Sequence, residues 1–79
     1  MEKEKLKKYL EEDIPYYKWE VESGIELLEY TIPIAKSLYE KDRMEDLKRI
    51  VLAVQKQSEK TLRNIEQYQK AKEKLDELK

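Results

Sequence analysis

Apolar side chains recur at helical spacing along almost the whole chain. Leu6, Tyr9 and Leu10 repeat at intervals of three and four, which predicts a first helix over about 2–12. Asp13 then offers a capping oxygen just ahead of Ile14 and Pro15. Proline suits a first turn because its missing N–H would have no intrahelical acceptor there, so a second helix is expected over 15–40. Along it the polar positions Lys18, Glu22, Glu26, Glu29, Pro33, Lys36 and Glu40 fall every three or four residues. Pro33 thus sits on the solvent side of one uninterrupted pattern, and a bend is expected there. The alternative, Thr31 capping a separate helix, keeps the same inward face.

That inward face is broad. One flank carries Tyr17, Val21, Ile25, Leu28, Ile32 and Tyr39, and the other carries Tyr16, Trp19, Leu27, Tyr30 and Ile34. A helix apolar over more than half its circumference needs more than one neighbour. Between the flanks lie the small residues Gly24, Thr31 and Ala35, where a second helix can approach closely; a helix break at Gly24 is the competing reading.

The third segment opens with Asp42-Arg43-Met44-Glu45, an acidic N-cap followed three residues later by Glu. No Gly or Pro follows, so a helix over 43–78, about 54 Å long at about 1.5 Å per residue, is expected. Its heptad places Leu47, Val54, Thr61, Tyr68 and Leu75 at one core position and Ile50, Gln57, Asn64, Ala71 and Leu78 at the next. The seam is apolar at both ends and polar in the middle. The two earlier helices, about 16 Å and 39 Å, together match the third in length, which points to a hairpin turning near Lys41 and Asp42. Facing residue numbers then add to about 84, setting Gly24 opposite Thr61, and Glu20, Glu22 and Glu26 opposite Lys60 and Arg63. Charge agrees with this pairing: residues 9–46 hold 11 acids and 4 bases, and residues 47–79 hold 5 acids and 9 bases. The expected fold is all-α: a helical hairpin or three-helix bundle with one long C-terminal helix, open to pairing with a second copy into a four-helix bundle. Whether residues 2–12 stack coaxially or fold back stays open.

With 79 residues this is one small helical domain, and its core is thin. The chain has no Cys and no His, which removes disulfides, thiol nucleophiles, zinc fingers and imidazole chemistry. No catalytic residue, metal or cofactor is expected, and without an apolar run long enough to span a bilayer the chain is expected to be cytoplasmic. The high Glu and Lys content with Ile and Tyr, and with no Cys, is the bias of proteins from hot-living organisms.

Three groups of residues are candidates for function. Arg49, Lys56, Lys60, Arg63, Lys70 and Lys74 form a basic stripe about 37 Å long that can track nucleic-acid phosphates. Glu59 and Arg63, and Glu66 and Lys70, are also spaced as i,i+4 ion pairs, the ordinary pattern of a solvated face. Tyr16, Trp19, Tyr30 and Ile34 are candidate partner-binding residues, because large rigid aromatics anchor protein interfaces; burial under a folded-back first helix is the competing reading. The polar group Gln55, Gln57, Ser58, Thr61, Asn64, Gln67 and Gln69 either sets register, faces a partner with Glu20 as its mate, or is simply exposed. Two acidic groups, Glu22, Glu26 and Glu29, and Glu73 and Asp76, are similar to the ExxE and ExxD metal sites of helical nucleotide pyrophosphohydrolases, but lie far apart on outward faces.

The motifs IPYYKWE and LKRIVLAVQKQSEKTLRNIEQYQ, in a very small Lys/Glu/Tyr-rich chain, resemble the small helical accessory subunits of crenarchaeal B-family DNA polymerase holoenzymes. The resemblance covers the whole chain and carries over no individual residue. It implies an archaeal, non-catalytic subunit that binds the catalytic polymerase and assists DNA synthesis. Small viral or plasmid adaptors share the texture, so a homodimeric nucleic-acid-binding bundle is the alternative.

Overall fold

The computed structural model describes residues 2–78 and consists of two antiparallel helices, α1 (Glu2–Glu40) and α2 (Met44–Leu78). The fold is an all-α helical hairpin measuring 60 × 14 × 14 Å. Residues 2–12 do not form a separate helix, and a three-helix bundle is excluded by their continuation into α1. Pro15 and Pro33 both lie inside α1. Each is exposed, so the carbonyls of Glu11 and Glu29, which lose their donors to the prolines, face water. The local stop signal at Asp13 to Pro15 is overridden because α2 runs alongside, giving Leu10 and Ala71 a buried place on opposite helices. A straight helix of 39 residues is about 58 Å long. That is almost the whole extent of the molecule, so α1 passes Pro33 without a sharp kink.

The turn is built by backbone hydrogen bonds. The Arg43 N–H donates to the Leu38 carbonyl at 2.9 Å and the Asp42 N–H to the Tyr39 carbonyl at 3.0 Å, the paired bonds of a Schellman motif. This requires a left-handed residue, and Asp42 fills it with φ 57°. The expected N-cap role of Asp42 is therefore displaced by one residue. The Arg43 carbonyl accepts the first bond of α2 from the Leu47 N–H at 2.9 Å, and Arg43 pairs with Asp46 in the first turn.

Leu10, Ile14, Tyr17, Val21, Gly24, Leu28, Thr31, Ala35 and Leu38 alternate at spacings of three and four and are buried or half-buried, forming the seam of α1. On α2 the same is true of Leu47, Ile50, Val54, Gln57, Thr61, Asn64, Tyr68, Ala71, Leu75 and Leu78. The polar middle of this seam has a steric cause. A Cβ on Gly24 would lie 2.2 Å from Thr61 Oγ1, so the helices approach closely here. Thr61 is 5% exposed, and its hydroxyl accepts a 3.1 Å bond from Gln57 Nε2, which satisfies the polar atoms inside the contact. Gln57, Thr61 and Asn64 thus belong to the close approach, while Gln55, Ser58, Gln67 and Gln69 are exposed.

Candidate functional interface

The hairpin has two broad sides, and the open clefts along the seam identify which residues lie on each. One cleft is lined by Leu10, Asp13, Tyr17, Gln67, Lys70, Ala71 and Lys74. Asp13 shares its helix row with Glu20, Leu27 and Ile34 at sevenfold spacing, and the adjacent row carries Tyr9, Tyr16 and Tyr30. On α2, Lys70 continues as Arg63, Lys56 and Arg49, and Lys74 continues as Gln67, Lys60 and Ala53. The ion pair between Glu20 and Lys60, 4.0 Å across the helices, lies on this same side. We call it the aromatic-basic side.

This arrangement brings together two sets of residues that the sequence presents as separate. Tyr16, Tyr30 and Ile34 of α1 stand beside Arg49, Lys56, Lys60, Arg63, Lys70 and Lys74 of α2, with Trp19 one step further round the helix from Tyr16. No folded-back helix covers the aromatics: Tyr16, Trp19 and Tyr30 are 57%, 61% and 73% exposed, and Ile34 is half-buried. The Tyr16 ring meets Tyr17 edge-on at 5.6 Å, which holds it against the helix while its outer edge stays open.

The charges on this side are only partly neutralised. Arg49 reaches Asp46 at 3.9 Å, and Lys60 reaches Glu20. The expected pairs Glu59 with Arg63 and Glu66 with Lys70 do not form among the described residues, so Lys56, Arg63, Lys70 and Lys74 present their charge to solvent. Of the expected acidic matches across the hairpin, only Glu20 closes one. Glu22 instead lines a cleft on the opposite side, with Lys18, Val21, Ile65, Tyr68 and Gln69. Glu26 and Glu29 are exposed.

Among the described residues no three acidic side chains gather where they could hold a metal ion, and the two acidic groups stay at different levels of the hairpin. No helix among them is long and apolar enough to cross a membrane. Comparison with known proteins finds no matching family model, curated protein or solved structure.

The opposite side of the hairpin, which sequence reasoning did not separate from the first, carries Ile25, Ile32 and Tyr39 on one row of α1 and Met44, Val51 and Ile65 on one row of α2. All but Ile65 are exposed. The signal was present as a sevenfold repeat on each helix. It becomes a surface only once the antiparallel register shows that the two rows are neighbours.

Proposed function

We propose that this chain is a non-catalytic helical docking subunit that binds a larger protein through its aromatic-basic side. The observation that supports this reading best is that exposed Tyr16 and Tyr30, with Trp19 on the adjoining outer edge of α1, share one side of the rod with uncompensated Lys56, Arg63, Lys70 and Lys74. Aromatic and Arg side chains supply most of the binding energy at protein interfaces. The unpaired bases steer an acidic partner surface into register. The resemblance to polymerase accessory subunits selects a replicative B-family DNA polymerase as the partner and an assisting role in DNA synthesis as the function.

The test is reconstitution with the catalytic subunit of such a polymerase. The expected result is a stable complex on gel filtration and longer primer-extension products. Both should be lost in the combined Tyr16→Ala, Trp19→Ala and Tyr30→Ala variant, with its helical circular dichroism intact. No complex, or a complex indifferent to all three changes, overturns the assignment.

A second reading is supported by the same side. Exposed tyrosines interleaved with bases form a stacking and phosphate-tracking platform for single-stranded nucleic acid. In the same assay, a single-stranded oligonucleotide that binds without polymerase, with affinity falling steeply in salt and on Lys56→Glu or Arg63→Glu, favours this reading over the first.

A further inference from the structure

The apolar side opposite the proposed docking surface has an occupant that the structure itself indicates. The molecule exposes 6620 Å². A folded monomer of 9.6 kDa is expected to expose about 5,100 Å², leaving a surplus of about 1,500 Å². A stable interface needs about 800 Å² from each partner, so the surplus covers a full interface. The exposed apolar groups are concentrated where such an interface would lie. Ile25, Ile32 and Tyr39 on α1 and Met44 and Val51 on α2 occupy the half of this side nearest the turn. Beside them Leu47, Lys48, Val51 and Leu52 line an open apolar hollow. Further from the turn the side is mixed: Val21, Ile65 and Tyr68 line an open cleft there together with Lys18 and Glu22, and Lys72 follows on α2.

We infer that a second copy of this chain packs on this side, related by a two-fold axis parallel to the hairpin, so that both turns lie at the same end and α1 of each copy rests on α2 of the other. Two features select this arrangement. An axis along the hairpin keeps every residue at its own level, so the apolar half meets the apolar half. Ile32 and Tyr39 of the second copy then seat above the hollow at Leu47, Val51 and Leu52. The other face-to-face arrangement, with turns at opposite ends, sets the apolar half on the half that carries Lys18, Glu22 and Lys72, and stacks α1 on α1. That is unfavourable electrostatically, because α1 carries ten acids against six bases whereas α2 carries seven against eight. In the arrangement inferred, every helix is antiparallel to its neighbours, as in an up-down four-helix bundle. The aromatic-basic sides point outward, leaving two docking surfaces per dimer.

Sedimentation equilibrium of the full chain tests the association, with an expected mass of twice 9.6 kDa at micromolar concentration. The paired change Ile32→Glu and Val51→Glu should raise the dimer dissociation constant at least about 100-fold. Tyr30→Glu, on the opposite side, should leave it unchanged. A monomeric wild type, or dissociation by Tyr30→Glu but not by the paired change, overturns the inference; the first result leaves the apolar side to a different protein. Orientation is read independently by spin-labelling Lys41→Cys, a unique thiol in this chain. Turns at the same end give a label separation of about 20 Å, two helix diameters. A separation near the 60 Å length of the hairpin overturns the arrangement.

Discussion

Gly24→Ala is the perturbation that tests the hairpin most directly, because two effects of opposite sign meet at this position. In the middle of a helix, Ala is favoured over Gly by about 0.5–1 kcal/mol, so an isolated α1 would be stabilised. In the hairpin the new Cβ would lie 2.2 Å from Thr61 Oγ1, 3.0 Å from Gln57 Nε2 and 3.2 Å from Thr61 Cβ. Non-bonded carbon atoms pack at about 3.5–4.0 Å, so the nearest contact is far too short. Thr61 is buried, β-branched and restricted about χ1, and its hydroxyl accepts from Gln57. The helices must therefore separate, an overpacking that costs about 1–3 kcal/mol. The net expectation is a loss of up to about 2.5 kcal/mol, centred near about 1 kcal/mol, which for a chain of this size lowers Tm by roughly 4–8 °C at the centre of that range. Thermal unfolding followed by helical circular dichroism, at matched protein concentration, is the assay. Adding Thr61→Ala removes the hydroxyl and should recover more than half of the loss. If Gly24→Ala raises Tm, as helix propensity alone demands, the close approach is wrong, and the register built on it is wrong too.

Two further substitutions test the ends of the hairpin. Asp42→Gly should stabilise the fold by about 0.5–1 kcal/mol, because Asp42 sits at φ 57°, where glycine carries no side-chain penalty; urea unfolding with no gain in midpoint would contradict the Schellman turn. Leu10→Ala should cost about 2–3 kcal/mol in the same experiment, since Leu10 is buried beside Ala71; a change below about 0.5 kcal/mol would mean that residues 2–12 are not docked on α2.

The parts of the fold that were legible in the sequence are those where one signal acts alone. Residues 44–78 contain no Gly or Pro and keep a seven-residue repeat, so the α2 seam, including its polar centre, follows from spacing. The contact between Gly24 and Thr61 follows from the lengths of the two arms and the place of the turn. Where two signals compete, local chemistry misleads. Asp13, Ile14 and Pro15 make a good helix start, but the partner helix extends past them and its packing holds the chain helical. Asp42 is suited both to an N-cap and to a left-handed C-terminal position, and the geometry of the turn decides for the second. The split of the aliphatic and aromatic residues of α1 into two opposed sides was illegible for another reason. A single helix shows one wide apolar arc, and only the position of α2 divides it.

That division follows from the seam itself. Gly24, Ala35, Thr61 and Ala71 let the two helices approach closely, but such small residues bury little apolar surface. Tyr16, Trp19, Leu27, Tyr30, Ile32, Tyr39, Val51, Leu52 and Leu62 occupy helix rows outside the seam and remain exposed. A hairpin of two helices can bury only the one stripe each helix turns toward the other, and so carries the rest of its large side chains on its surface. Its stability and its affinity for other surfaces are thus linked: enlarging the seam residues to strengthen the monomer would push the helices apart and realign both outer sides. Conservative changes at the seam, Gly24→Ala foremost, should accordingly weaken association as well as folding, whereas changes on one outer side should weaken only the contact made there.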